Sequence, residues 1–244
     1  VQAAGKIAMV TGAARRVGKA IALALAERGA DVVITYHRSA AEAQQTVHEI
    51  EAHSVGGMAV QGNITRSTEV NAMVRQVMER FGRIDILVNN ASNYYRTPFA
   101  TLSEEQWDDL IGTNLKGTFL MSKRVGDEML KGGSGKIINL ADWAGFRPYQ
   151  DYIPYCVAKA GVIALTKALA KTLAPNIQVN AVAPGPVMLP EDFTDREREA
   201  VRRATPLKRL GSPMDVAQTV VFLVEGSDFI TGTTIMVDGG RLIA

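Results

Sequence analysis

Lys6-Ile7-Ala8-Met9-Val10-Thr11-Gly12-Ala13-Ala14-Arg15-Arg16-Val17-Gly18 is the stretch on which the fold turns. Its apolar run reads as a buried strand over residues 6–11, and a loop follows over 12–16. A helical period then begins at Val17 and runs to residue 28, where Gly29 closes it. A strand that turns sharply into a helix aims the helix's free N–H groups at whatever lies above the turn, which makes a ready phosphate site. Gly12 permits that turn, and Gly18 lets helix and sheet approach closely. Arg16 stands where a third glycine would leave the backbone bare, and there it can bring a cation to a pyrophosphate.

Working outward, apolar runs alternate with helical segments along the whole chain. Strands are expected over 6–11, 32–36, 58–61, 84–89, 136–140, 177–182 and 234–237. Helices are expected over 17–28, 40–53 and 67–81, from Ser103 to residue 130, after Tyr155, and from Pro213. Ser39 with Glu42 and Ser103 with Gln106 read as capping boxes. This alternation predicts an α/β chain: one Rossmann domain over 1–244, a doubly wound parallel sheet of about seven strands. One segment interrupts it. Between Pro184 and Gly211 lie Pro186, Pro190 and Pro206 and the run Asp195-Arg196-Glu197-Arg198-Glu199. A solvated helix with i,i+3 and i,i+4 pairing is expected there, placed as a substrate lid within 186–211.

Composition narrows the function. The 244 residues are 47% hydrophobic and 21% charged, with a net charge of +2. No Lys/Arg stripe marks a nucleic-acid surface, so no nucleic-acid partner is expected. No apolar run was found that reaches the length of a membrane span, and no secretory leader is visible, so neither a membrane nor export is expected. The single Cys156 cannot form an internal disulfide, which suits a reducing cytoplasm. His37, His48 and His53 lack ligand spacing with any acid or cysteine, so no catalytic metal is expected.

The chemistry concentrates at three places. The second strand ends Thr35-Tyr36-His37-Arg38-Ser39 without the acid that would hydrogen-bond an adenosine 2′-hydroxyl. Arg38 can instead grip a 2′-phosphate, with Ser39 donating to it, which selects NADP over NAD. Tyr155 and Lys159 lie four residues apart on a helix, so phenol and ammonium share a face. A nearby ammonium favours phenolate and is expected to lower the Tyr155 pKa towards neutrality. Asp142 precedes Tyr155 by thirteen residues, on the turn after the fifth strand. An ionised carboxylate there would repel an oxygen gaining negative charge.

Thr11-Gly12…Gly18, Asn89-Asn90-Ala91, Asn114, Tyr155-x-x-x-Lys159 and Pro184-Gly185 stand in the order and spacing of the short-chain dehydrogenase/reductase family, which the chain resembles throughout its length. The resemblance implies a nicotinamide cofactor, a small-molecule substrate and a homotetramer. It also implies an Asn-Ser-Tyr-Lys tetrad, of which Asn114, Tyr155 and Lys159 carry over; Asp142 replaces the Ser. The implied cofactor contacts start in the phosphate loop with Gly12, Arg16, Val17 and Gly18. They continue through His37, Arg38 and Ser39 to Asn63 and Ile64, then to Asn90, Ala91 and Ser92. Tyr155 and Lys159, with Pro184, Gly185 and Val187, complete them.

Within that family the chain is similar to the pteridine reductases. It shares with them Arg16, the ending Tyr36 to Ser39, the run Asn89 to Pro98, and Asp142 with Tyr155 and Lys159. That likeness implies a pterin held by Arg16, Ser92, Tyr94, Asp142 and Tyr155. The expectation is an NADPH-dependent reductase of a pterin or dihydropterin, with Tyr155 as proton donor assisted by Asp142 and Lys159. A reductase of 3-oxoacyl thioester-type carbonyls is the alternative, and a non-catalytic NADP sensor a more distant one.

Overall fold

The computed structural model describes residues 2–189 and 193–244. Its sheet contains β1 (Ile7–Val10), β2 (Asp31–Tyr36), β3 (Gly57–Gln61), β4 (Ile86–Asn89), β5 (Gly135–Leu140), β6 (Ile177–Pro184) and β7 (Thr234–Val237). All pair in parallel, in the order β3-β2-β1-β4-β5-β6-β7. Strands buried on both faces are apolar at most positions, which is why β1 and the 32–34 stretch of β2 read as continuous runs rather than alternating ones.

Helices α1 (Arg16–Glu27), α2 (Ala40–Glu51), α3 (Ser67–Phe81), α5 (Gly117–Gly132), α6 (Ile153–Leu173) and α8 (Pro213–Glu225) enclose the sheet. Ile21, Leu25, Ile50 and Val220 pack on one face with Val10 and Ile34. Met73, Val77, Met121 and Met129 pack on the other with Met9 and Leu87. Two cores on one sheet define a single doubly wound Rossmann-type domain. Strand order reverses beside β1, whose neighbours are β2 and β4, so a crevice opens at the carboxyl ends there.

Several local expectations change in the folded chain. Ser39 makes no side-chain cap on α2, so the expected capping box is absent and its hydroxyl is not used there. The Ser103–Gln106 box does form at α4 (Glu104–Ile111). α4 passes through a π-turn over Gly112–Lys116 into α5, and the wide turn places Asn114 inward. α7 (Asp195–Ala204) opens on a Thr194–Glu197 capping box, and its Glu199 pairs with Arg202 and Arg203. Pro190 of the interrupting segment lies outside the described residues.

Among the described residues α6 is the one helix long and apolar enough to cross a membrane, at 21 residues. In the sequence, lysines punctuate the segment and hide its length as an apolar run. Here α6 packs along the sheet with Tyr155, Ala158, Lys159, Val162 and Thr166 buried.

Lys136 on β5 is a buried cation whose Nζ donates to the Val224 carbonyl at 2.9 Å and meets Asp228 at 2.8 Å. It thereby satisfies the end of α8, where helix carbonyls lack intrahelical donors. Lys136→Met should lower stability by about 1–3 kcal/mol in urea unfolding, because a buried acceptor is left without a donor. An unchanged unfolding midpoint would contradict this account.

Candidate active site

The crevice is a cleft of about 1630 Å³, lined from the phosphate loop across to Asp142 and Tyr155. Side chains from three strands hold its loop. The Thr11 hydroxyl accepts the Asn90 and Ala91 N–H groups, each at 3.0 Å. Asn90 Nδ2 donates to the Thr11 and Gly12 carbonyls at 2.9 and 3.2 Å. Thr35 Oγ1 accepts from the Gly12 N–H at 3.3 Å.

Glycine is required at two points of this loop. Gly12 has φ +62, and a Cβ there would lie 2.8 Å from Ala91 Cα. A Cβ at Gly18 would meet the Gly12 carbonyl and Ala13 Cα at 2.8 Å. Arg16 itself adopts φ 58, the left-handed conformation that a glycine would take without a side-chain penalty.

The donor set fits a phosphorylated dinucleotide. Arg16 and Arg38 are exposed, line the cleft, and have no protein partner among the described residues. His37, Ser39, Asn63, Ile64 and Val17 line the same end, and Asn90, Ala91, Ser92, Pro184, Gly185 and Val187 continue the wall. Asn63 is held in place by two bonds from Thr65 to its Oδ1, both at 2.9 Å.

Asn114 is buried, and its Nδ2 donates to Asn93 Oδ1 at 2.7 Å and to the Leu110 carbonyl at 2.9 Å. Its Oδ1 accepts from the Ser92 hydroxyl. The Ser92 proton is therefore directed at Asn114 in this structure rather than into the cleft.

Asp142 does two jobs at the N-terminus of the turn Trp143–Gly145. Its Oδ1 accepts the Ala144 N–H at 2.7 Å, and its Oδ2 accepts the Tyr155 hydroxyl at 2.9 Å. Burial pushes the Asp142 carboxyl above the usual range, against the lowering effects of the Ala144 N–H, Lys159 and Tyr155. Burial also pushes Tyr155 up, and the Asp142 charge and hydrogen bond add to that shift.

Burial and Asp142 thus outweigh the lowering of the Tyr155 pKa expected from Lys159. Lys159 Nζ does not bond the phenol; it donates to the Leu140 carbonyl at 2.8 Å and sits 5.6 Å from the Tyr155 ring centre. Desolvation lowers the Lys159 ammonium to about 8.

Four aromatic residues close the wall, the expected Tyr94 among them. Tyr94 stacks on Tyr152 at 4.6 Å and meets Tyr155 edge-on at 4.8 Å. Tyr149 stands edge-on to Tyr152 and to Trp143, and the Trp143 indole N–H donates to its hydroxyl. In the sequence Trp143, Tyr149 and Tyr152 carry no signal apart from their nearness to Tyr155. Only the folded turn brings them to the cleft.

A seven-stranded parallel sheet, a glycine loop at its switch point and a buried Asn-Tyr-Lys set define a short-chain oxidoreductase, and the chain belongs to the short-chain dehydrogenase/reductase family. The family profile described as enoyl-(acyl carrier protein) reductase matches residues 12–241. The 3-oxoacyl-(acyl-carrier-protein) reductase FabG of Staphylococcus epidermidis is 42% identical over 243 residues, 96% of this chain and 98% of its own. The (2S)-((R)-hydroxy(phenyl)methyl)succinyl-CoA dehydrogenase subunit BbsD of Thauera aromatica is 39% identical, over 97% of this chain and 96% of its own. A solved structure from Sinorhizobium meliloti, assigned provisionally to the short-chain alcohol dehydrogenases, superposes with a TM-score of 0.93 at 34% identity, covering 99% of this chain and 98% of its own.

These relatives overturn the pterin expectation. At 42% identity over nearly the whole chain, the similarity runs to reductases named for 3-oxoacyl substrates. Asp142 was the residue that favoured a pterin, on the premise that its carboxylate is ionised. Burial works against that premise.

Proposed function

We propose that the chain is an NADPH-dependent reductase of a thioester-linked carbonyl of the 3-oxoacyl type. The observation that carries the reading is the buried phenol–carboxyl pair, Tyr155 and Asp142, 2.9 Å apart at the floor of the cleft. The names of the Staphylococcus and Thauera relatives support a carbonyl on an acyl-carrier or coenzyme A thioester. Arg38 and Ser39, whose side chains have no partner among the described residues, support NADPH as the dinucleotide, with Arg16 at the pyrophosphate.

When bound, the reduced nicotinamide supplies a hydride to the carbonyl carbon. The protein must supply a proton to the oxygen, and Tyr155 has one to give. With Asp142 ionised, that proton is held by Oδ2, and the carboxylate repels the oxygen as it gains charge. With Asp142 neutral, the carboxyl proton bridges to the phenol oxygen and leaves the Tyr155 proton directed at the substrate. The neutral acid thus fills the position of the family's Ser, and burial favours that state. The Lys159 ammonium, charged below about 8, stabilises the phenolate as it forms. Asn114 fixes the Asn93 segment and Ser92 beside the cleft. α7 and the segment around it, with Phe193 and Val201 on the cleft, form the substrate lid.

We assign the enzyme to the cytoplasm as a homotetramer. Cys156 as a free, buried thiol supports the first. Two separate apolar faces support the second: Trp107, Phe119 and Leu130 on α4 and α5, and Phe222, Phe229 and Ile243 around α8 and the C-terminal residues. Light scattering should give four times the 26.3 kDa chain mass, and a monomer would set the assignment aside.

The reaction is tested by NADPH oxidation with an acetoacetyl thioester. Tyr155→Phe should lower turnover by about 10²-fold or more while NADPH still binds. Because the working state has Asp142 protonated, wild-type kcat/KM should fall as pH rises through the raised carboxyl pKa. Asp142→Ser should remove that limb, hold or raise ketone turnover, and leave only the loss set by deprotonation of Lys159. Abolished ketone turnover in Asp142→Ser would refute the neutral-acid role.

For the cofactor, NADPH should bind more tightly than NADH in calorimetry. Arg38→Asp should shift that preference by about 1–3 kcal/mol, the scale of a charged hydrogen bond. Equal wild-type affinities would contradict the assignment.

A further inference from the structure

We infer that the carbonyl this site prefers is an aryl ketone, one whose carbonyl carbon is bonded directly to an aromatic ring. The inference rests on the thioester-carbonyl reading above and names the substrate group within it. The chain contains 7 Phe, 2 Trp and 6 Tyr, and five of these rings stand together where the proton is delivered. They form a continuous series along the cleft wall: Trp143, Tyr149, Tyr152, Tyr94 and Tyr155, each in stacked or edge contact with the next.

Two backbone features hold the series in place. Tyr152 bridges to Thr97, tying the segment after Tyr94 to the turn before α6. The Asp151 carbonyl accepts the Thr97 N–H at 2.6 Å, and the Asp151 carboxylate pairs with Arg96 at 2.6 Å. Asp151, between Tyr149 and Tyr152 on the turn, has φ 63, a left-handed conformation that Asp adopts more readily than most residues.

An aliphatic acyl chain needs only apolar area, which Val, Leu or Met would provide with less directional constraint. Aromatic walls add a preference for flat rings through stacking and edge-to-face contacts. They also suit the reaction geometry. In an aryl ketone, conjugation keeps the C=O in the plane of the ring. A wall that fixes the ring therefore fixes which face of the carbonyl is open and aims its oxygen at Tyr155. That is orientation supplied by binding, worth most when the reacting group is rigidly joined to the part that is held. Tyr94 is the ring best placed to meet a substrate: it is 45% exposed and touches both Tyr152 and the proton donor.

The test compares three thioesters of one carrier, benzoylacetyl, cyclohexanoylacetyl and acetoacetyl, by NADPH oxidation. Benzoylacetyl and cyclohexanoylacetyl match in size and differ in flatness. The ratio of their kcat/KM values should favour the aryl substrate. In Tyr94→Leu that ratio should fall about five- to ten-fold, the loss of one aromatic pair, and Tyr94→Phe should restore it. Comparing ratios cancels the intrinsic reactivity of each ketone. Tyr152→Leu gives an independent reading, expected to fall in the same direction.

If acetoacetyl thioester is reduced but the aryl-to-cyclohexyl ratio is the same in wild type, Tyr94→Leu and Tyr152→Leu, the aryl inference is wrong and the thioester reading stands. If none of the three thioesters is reduced, both fall.

Discussion

The cleft depends on a buried hydrogen-bond ladder at the carboxyl ends of β4 and β5. Asn89 Nδ2 donates to Asn139 Oδ1 and to the Ser122 hydroxyl, each at 2.9 Å, and Asn139 Nδ2 donates to Thr166 at 3.0 Å. All four residues are buried, so losing any partner would strand a polar group away from water. The ladder joins the two central strands to α5 and α6. It therefore sets the Asn90–Ala91 segment, which holds the phosphate loop, relative to the Asp142 turn and the helix bearing Tyr155 and Lys159. Cofactor end and proton end are registered by the same side chains.

From that frame the electrostatics of the floor follow. Enclosing a carboxyl, a phenol and an ammonium together disfavours the charged form of each. The site is therefore poised nearer neutrality than three exposed groups would be. A Ser in place of Asp142 would have no second protonation state. The carboxyl has two, and burial favours the neutral one.

Judging Asp142 from sequence required its charge, and charge is a property of the environment. As an ionised group it argues against a developing alkoxide and in favour of a substrate with N–H donors, which is how the pterin likeness gained its weight. Desolvation by packing that reaches residues up to seventeen positions away works against that argument, while Ala144, Lys159, Tyr155 and Tyr149 pull the other way. The Tyr155 pKa depends on environment in the same way. Spacing of i,i+4 places Lys159 on the same helix face, but its ammonium reaches the Leu140 carbonyl, an acceptor on another element.

The sequence alone determined the architecture, since a parallel sheet buried on both faces requires apolar runs at every strand and glycines wherever the chain turns tightly. The glycine turn, the shared helix face of Tyr155 and Lys159 and the Ser103 cap are legible for that reason: each is local, or set by a helical or strand period, whereas Asn114 is named only by the family resemblance. Tertiary structure decided what depends on neighbours distant in the chain. It left Ser39 free of its expected cap, turned Ser92 towards Asn114, and gathered Tyr94, Tyr149, Tyr152 and Trp143 around the phenol. It also decided the direction in which the Asp142 pKa moves, because desolvation depends on the packing around the carboxyl, and no residue pattern in the chain encodes that packing by itself.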